Sequence, residues 1–158
     1  MNLIRFISTK SDFEKNNSFH RVLRDLAEEK GYGLIKLKKA KNIRKVILCS
    51  GKVYFDLIQA REKLNINDVV FVRIEQLYPF PIKSLVSEIK KYKRMARFYW
   101  CQEEPQNMGA WAAVRDYIEW TLNYIKAKNR KIAYIGRGSA ASPATGYALR
   151  HLNQQKKI

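Results

Sequence analysis

From Lys45 onward the chain alternates between two hydrophobic patterns. Short, continuous apolar runs rich in β-branched and aromatic residues occur at Lys45–Ser50, Val69–Glu75, Arg97–Cys101 and Lys131–Ile135. Runs of this kind suit strands buried on both faces, as in a parallel sheet. Each is followed by apolar residues at helical spacing. The first such stretch is Val53 to Leu64, with Val53, Leu57, Ile58, Ala60 and Leu64 in phase. The second, Ile82 to about Lys93, turns Leu85, Val86 and Ile89 inward, and the others are Met108 to Lys126 and Thr145 to Gln155. Four strand–helix repeats predict one α/β domain over residues 45–158, with a mainly parallel sheet and right-handed crossovers. The loop Leu77–Pro81 is punctuated by Pro79 and Pro81, and Gly136–Ser139 opens a loop that runs through Pro143.

Residues 1–44 read differently, as a lead-in segment followed by a basic surface excursion. Met1 to Lys10 is too short to fold alone; being apolar and basic, it is compatible with an import signal. Ser11–Glu14 suggests a helix or turn start, and Ser18–Leu23 a short strand or turn. Asp25 to Lys41 is polar, carries Gly31 and Gly33, and is expected on the surface.

Charge sharpens this picture. With 31 basic and 14 acidic residues the formal charge is +17, which points to an anionic partner. The bases are spread along the chain apart from one dense run, Lys36, Lys38, Lys39, Lys41, Arg44 and Lys45. No recognition motif accompanies them, so nucleic acid is not the expected partner. No apolar stretch is long enough to span a bilayer, and a membrane is not expected either. Cys49 and Cys101 give no disulfide framework; each ends an apolar run and is read as a buried, reduced thiol.

Candidate chemistry gathers at the carboxyl ends of the strands, where open α/β sheets keep their sites. Ser50-Gly51-Lys52 joins a strand to a helix start and is either a plain tight turn or an anion site with Lys52 as counter-charge. It lacks the spacing of a Walker loop. Arg73 and Arg137 lie near the ends of two other strands, and Glu75, Glu103 and Glu104 are their natural partners. Such pairs would form a salt-bridge network locking the loops, or a pocket whose arginines grip a phosphate; the two are compatible. In Trp100–Trp111, Pro105 is expected to stop the strand and Asn107 to cap the next helix. Glu75, Gln102, Glu103, Glu104 and Asn107 are therefore read as a structural clamp or interface. No catalytic set emerges: His20 and His151 lie at opposite ends without metal-ligand spacing, and no nucleophile elbow is present.

Four blocks together carry a family resemblance: CSGKVYFDL (Cys49–Leu57), VRIEQLYPFP (Val72–Pro81), WCQEEPQNMGAW (Trp100–Trp111) and YIGRGSAASPATGY (Tyr134–Tyr147). In order and spacing they resemble the C-terminal domain of the thiamine-diphosphate-dependent decarboxylating component of the 2-oxoglutarate dehydrogenase complex. The segment from Leu3 to Leu23 resembles the family stretch leading into it. The resemblance implies a transketolase C-terminal-like fold and a dimerisation or regulatory role in the oxidative decarboxylation of 2-oxoglutarate in the citric acid cycle. It implies that thiamine diphosphate and magnesium are held by other domains, and that this chain binds no cofactor alone. Expected partners are those remaining domains or subunits and a second copy in a homodimer. An AMP or acetyl-coenzyme A effector is also implied, with Ser50, Lys52, Arg73 and Arg137 as candidate contacts. The implied location is cytoplasmic, or the mitochondrial matrix in a eukaryote. The chain's Met1 falls where the family's sequence continues upstream, and the Lys36–Lys45 stretch departs from the family's usual acidic or neutral connection. Both departures fit a split or decayed reading frame or an isolated domain, inactive alone. The alternative is a stand-alone module binding an anionic nucleotide effector or a partner chain.

Overall fold

The computed structural model describes residues 18–29, 34–143, 146–147 and 153–154. Their centre is a five-stranded sheet in the order β1-β3-β2-β4-β5. β1 is Val22–Leu23, β2 Lys45–Cys49, β3 Val69–Ile74, β4 Arg97–Pro105 and β5 Ile132–Arg137. β2 pairs in parallel with both β3 and β4, β4 in parallel with β5, and the two-residue β1 antiparallel with β3 at the edge. Helix α1 is Val53–Lys63, α2 Ile82–Ile89 and α3 Trp111–Tyr124. This is the α/β architecture that the alternating pattern predicts.

Strand alternation divides the core in two. Val46, Leu48, Val70, Val72, Phe98 and Trp100 face α2 and α3, joining Leu85, Ile89, Val114, Ile118 and Leu122. Ile47, Cys49, Val69, Phe71 and Cys101 face α1, meeting Val53, Tyr54 and Ile58. Because both faces are covered, the strands need no polar side, which explains their continuous apolar runs. Cys49 and Cys101 are buried and free, as read from the sequence, and stand opposite each other on β2 and β4. Burial pushes both thiols up, Cys101 to about 12, so neither carries a reactive thiolate.

Several element boundaries differ from expectation. β4 extends past Cys101 and ends at Pro105, the residue expected to stop it, and the third helix starts at Trp111 rather than Met108. Between the pairs Cys101–Ile135 and Pro105–Arg137, β4 bulges: three of its residues face the single Gly136. Pro105 is tolerated at this strand end because the ladder resumes beyond it, Gln106 N donating to the Arg137 carbonyl at 3.0 Å. On α1 the inner face is Val53, Tyr54, Ile58 and Arg61, while Ala60 and Leu64, expected in phase with it, are exposed, Leu64 by 66%. The segments Met1–Lys10 and Ser11–Glu14 lie outside the described residues, as does most of the helix expected over Thr145–Gln155; of that stretch Gly146 and Tyr147 are not helical, Gly146 taking φ +68°, while residues 153–154 are helical.

The surface excursion expected from Asp25 begins, instead, in the core. Asp25 is fully buried, and its carboxylate accepts from Arg61 Nη2 at 3.0 Å and from Arg61 Nη1. It also accepts from Ala27 N at 2.9 Å and from Phe71 N at 2.7 Å. The last contact satisfies a backbone donor on β3 just where β1 is too short to reach, so a side chain completes the sheet edge. Arg61 stacks over Phe71, its guanidinium carbon 4.9 Å from the ring centroid. Removing one partner strands a buried charge. Asp25→Ala is expected to lower unfolding free energy by about 4 kcal/mol in urea titrations, with Asp25→Ala/Arg61→Met recovering most of it; a double variant no better than the single would contradict a charge-stranding cause.

Candidate functional site

The sheet order places a topological switch between β2 and β4: from β2 the chain crosses to β3 on one side, then returns to β4 on the other. Doubly wound sheets open a crevice there, outside the carboxyl ends of the strands. A cleft of about 250 Å³ lies at that point, lined by Ser50, Gly51, Lys52, Val53, Leu77, Trp100, Gln102, Glu103, Glu104 and Ala110.

Its β2 wall is the Ser50-Gly51-Lys52 turn. Gly51 has φ +67°, the left-handed conformation that glycine adopts without a Cβ penalty, and this lets the chain turn directly from β2 into α1. Two carboxylates already occupy the anion positions of this turn. Glu75 Oε1 lies 3.4 Å from Gly51 N, and Glu103 Oε1 lies 3.3 Å from Lys52 Nζ, with Asp56 at 3.7 Å. The hydrogen bond from Lys52 to Glu103 holds that ammonium above the ordinary lysine value.

The β4 wall depends on Gln102, only 4% exposed. Its Oε1 accepts from Trp100 Nε1 at 2.9 Å and from Trp111 N at 3.0 Å. Its Nε2 donates to the carbonyls of Met108 at 2.7 Å and Pro105 at 3.1 Å. Two donors on one side and carbonyls on the other fix the amide's orientation without ambiguity. Gln102 thus does for α3 what Asn107 was expected to do: it satisfies the first N–H of the helix, from a strand side chain rather than a cap residue. Gly109, at φ +65°, lets the loop close over it; an added Cβ would lie 2.9 Å from Gln102 Nε2. Asn107 instead brackets Ala140, donating to its carbonyl at 2.9 Å and accepting from its N–H at 3.0 Å, which ties down the loop after β5.

Of the four effector candidates, Ser50 and Lys52 line the cleft together, while Arg73 and Arg137 flank it on β3 and β5. Arg73 lies over Tyr54 and Phe55, at 4.9 and 5.4 Å from their centroids, with Nε 3.0 Å from Glu75 Oε1. The pairing of Arg73 with Glu75 is one the residues suggested. Arg137 Nε donates at 2.6 Å to the backbone carbonyl of Glu103, not to a carboxylate. Tyr134 Oη reinforces the same bulge, donating to the Glu104 carbonyl at 2.9 Å. Two features escaped the sequence reading: the buried Asp25–Arg61 pair, and the hub role of Gln102 among the clamp residues. Gln102 had one available signal, an uncharged polar residue prolonging an apolar strand.

Fold and site together define a doubly wound α/β domain with a switch-point cleft whose anion positions are filled by its own carboxylates. The sequence profile of the family described as 2-oxoglutarate dehydrogenase C-terminal matches residues 7–158, and the chain belongs to that family. It is similar to the 2-oxoglutarate dehydrogenase E1 components of Brucella ovis and Brucella canis, 51% identical over 150 residues, covering 95% of this chain. The chain spans 15% of the length of those curated relatives.

Gln102 supplies the site's most direct test. Gln102→Ala leaves the Trp100 and Trp111 donors buried and unsatisfied and is expected to cost about 3 kcal/mol in denaturant unfolding. Gln102→Glu should also destabilise, because a carboxylate would face the Met108 and Pro105 carbonyls; wild-type stability in both variants would contradict the hub role.

Proposed function

We propose that this chain is the C-terminal domain of a 2-oxoglutarate dehydrogenase E1 component, an oxidoreductase subunit, supplying an assembly and effector-binding surface rather than the reacting groups. The observation that carries the reading is the 51% identity over 95% of the chain. In this reading decarboxylation of 2-oxoglutarate, with thiamine diphosphate and magnesium, belongs to the rest of the enzyme, and the transketolase C-terminal-like domain supports its dimer, in cytoplasm or mitochondrial matrix. The effector part rests on the Ser50-Gly51-Lys52 turn and its place in the cleft.

What the domain's own residues do in this reading is hold an anion site closed. Glu75 lies against the Gly51 N–H and Glu103 against Lys52, the groups a phosphate would otherwise contact. An AMP or acetyl-coenzyme A phosphate would displace Glu103 from Lys52. Glu103 adjoins the β4 bulge through its backbone bond to Arg137, so its movement would be felt at the loop after β5.

Purified chain with thiamine diphosphate, Mg²⁺ and 2-oxoglutarate is expected to show no decarboxylation; turnover would overturn the non-catalytic assignment. In calorimetry with AMP and acetyl-coenzyme A, Lys52→Ala should weaken binding. Glu103→Gln should tighten it about fivefold, the equivalent of roughly 1 kcal/mol of relieved competition. Absence of heat with both ligands, in wild type and Glu103→Gln alike, would sink the effector role.

A further inference from the structure

The outer face of α3 carries rings where a solvated helix carries charge. Tyr117, Trp120 and Tyr124 recur at three- and four-residue spacing, which puts them on one face. They are 46%, 52% and 64% exposed. Trp120 and Tyr124 stack with centroids 5.3 Å apart and planes 10° apart. Tyr117 stacks on Phe80, just before α2, at 5.1 Å and 11°. The ridge is therefore ordered before anything covers it, and rings already stacked lose little further freedom on binding.

Composition isolates the same face. The chain has 31 basic residues, yet α3 carries one, Arg115, whose Nε donates to Asp116 at 2.8 Å. Tyrosine and tryptophan enriched where lysine is depleted is the signature of an interface centre. The chain accounts for 15% of the length of its Brucella relatives, so in such an enzyme most of the polypeptide lies outside this domain and must meet it somewhere.

We propose that the Tyr117–Trp120–Tyr124 ridge of α3 is the surface on which this domain seats the remainder of an E1 polypeptide. The inference rests on the reading of the chain as an E1 domain and adds the face through which it docks.

The experiment compares the isolated chain with a full-length chimera in which this chain replaces the corresponding C-terminal segment of the Brucella ovis E1 component. Both are labelled by hydroxyl radicals and read by mass spectrometry. Trp100 and Trp111 are 0% and 9% exposed, so Trp120 is the tryptophan open to label in the isolated chain. Labelling of Trp120 and Tyr124 is expected to fall by roughly an order of magnitude in the chimera, as a sealed interface centre excludes water. Trp120→Glu should leave the isolated chain's melting temperature unchanged while reducing soluble, active chimera. Equal labelling in a chimera that turns over 2-oxoglutarate would overturn the docking face and leave the E1 reading standing. A chimera that neither assembles nor turns over would overturn both. Protection appearing in the isolated chain as concentration rises, with a doubled mass by light scattering, would assign the ridge to a second copy and overturn the proposal.

Discussion

At the carboxyl edge of this sheet, one neutral amide sets the geometry. Gln102 sits at the start of the β4 bulge, binds the indole of Trp100 within the core, and meets the first N–H of α3. Its amino group gathers the Met108 and Pro105 carbonyls around the other side. A buried polar side chain is costly unless its bonds are made, and here both ends of the amide are engaged. The strand end, the loop and the helix start are thereby fixed relative to one another. The placement of Glu103 and Glu104 on the cleft wall follows from that arrangement.

A second polar device works at the opposite end of the sheet. Asp25 and Arg61 bring a segment outside the parallel repeats into the core and finish the β3 edge at Phe71. Tyr54 Oη accepts from Leu26 N at 3.0 Å, fastening the same segment to α1. Burying a charge pair is a weak source of net stability, because desolvation offsets much of the attraction. Its effect here is positional: the carboxylate has a backbone donor to meet as well as a guanidinium, and one placement of the segment satisfies both.

Carboxylates at the Ser50-Gly51-Lys52 turn make the cleft more polar than basic, despite the chain's charge. Lys52 faces Glu103 and Asp56, and Glu75 lies against Gly51. Much of the basic surplus lies elsewhere: the Lys36–Lys45 run leads into the start of β2, and within it Lys38 and Arg44 reach Asp68 just before β3. Net charge therefore says little about the switch-point site.

The order of strands and helices was legible in the residues, because a strand covered on both faces must be apolar throughout and a helix on a sheet must repeat near 3.6. The family blocks, Trp100–Trp111 above all, were legible for the same reason that they are specific: they are contiguous. The Arg73–Glu75 pair could also be read, its members being two residues apart on one strand. What the sequence alone determined, then, was local: element type, approximate boundaries, and the likeness of contiguous motifs. Tertiary structure decided which of the clamp residues is the hub, why Asn107 braces Ala140 instead of capping α3, and that Asp25 belongs to the core. Each depends on groups far apart in the chain, Asp25 with Arg61 and Phe71, or Asn107 with Ala140. Hydrogen bonds of that kind are chosen by where the folded backbone leaves an unpaired donor or acceptor, and no stretch of sequence carries that information by itself.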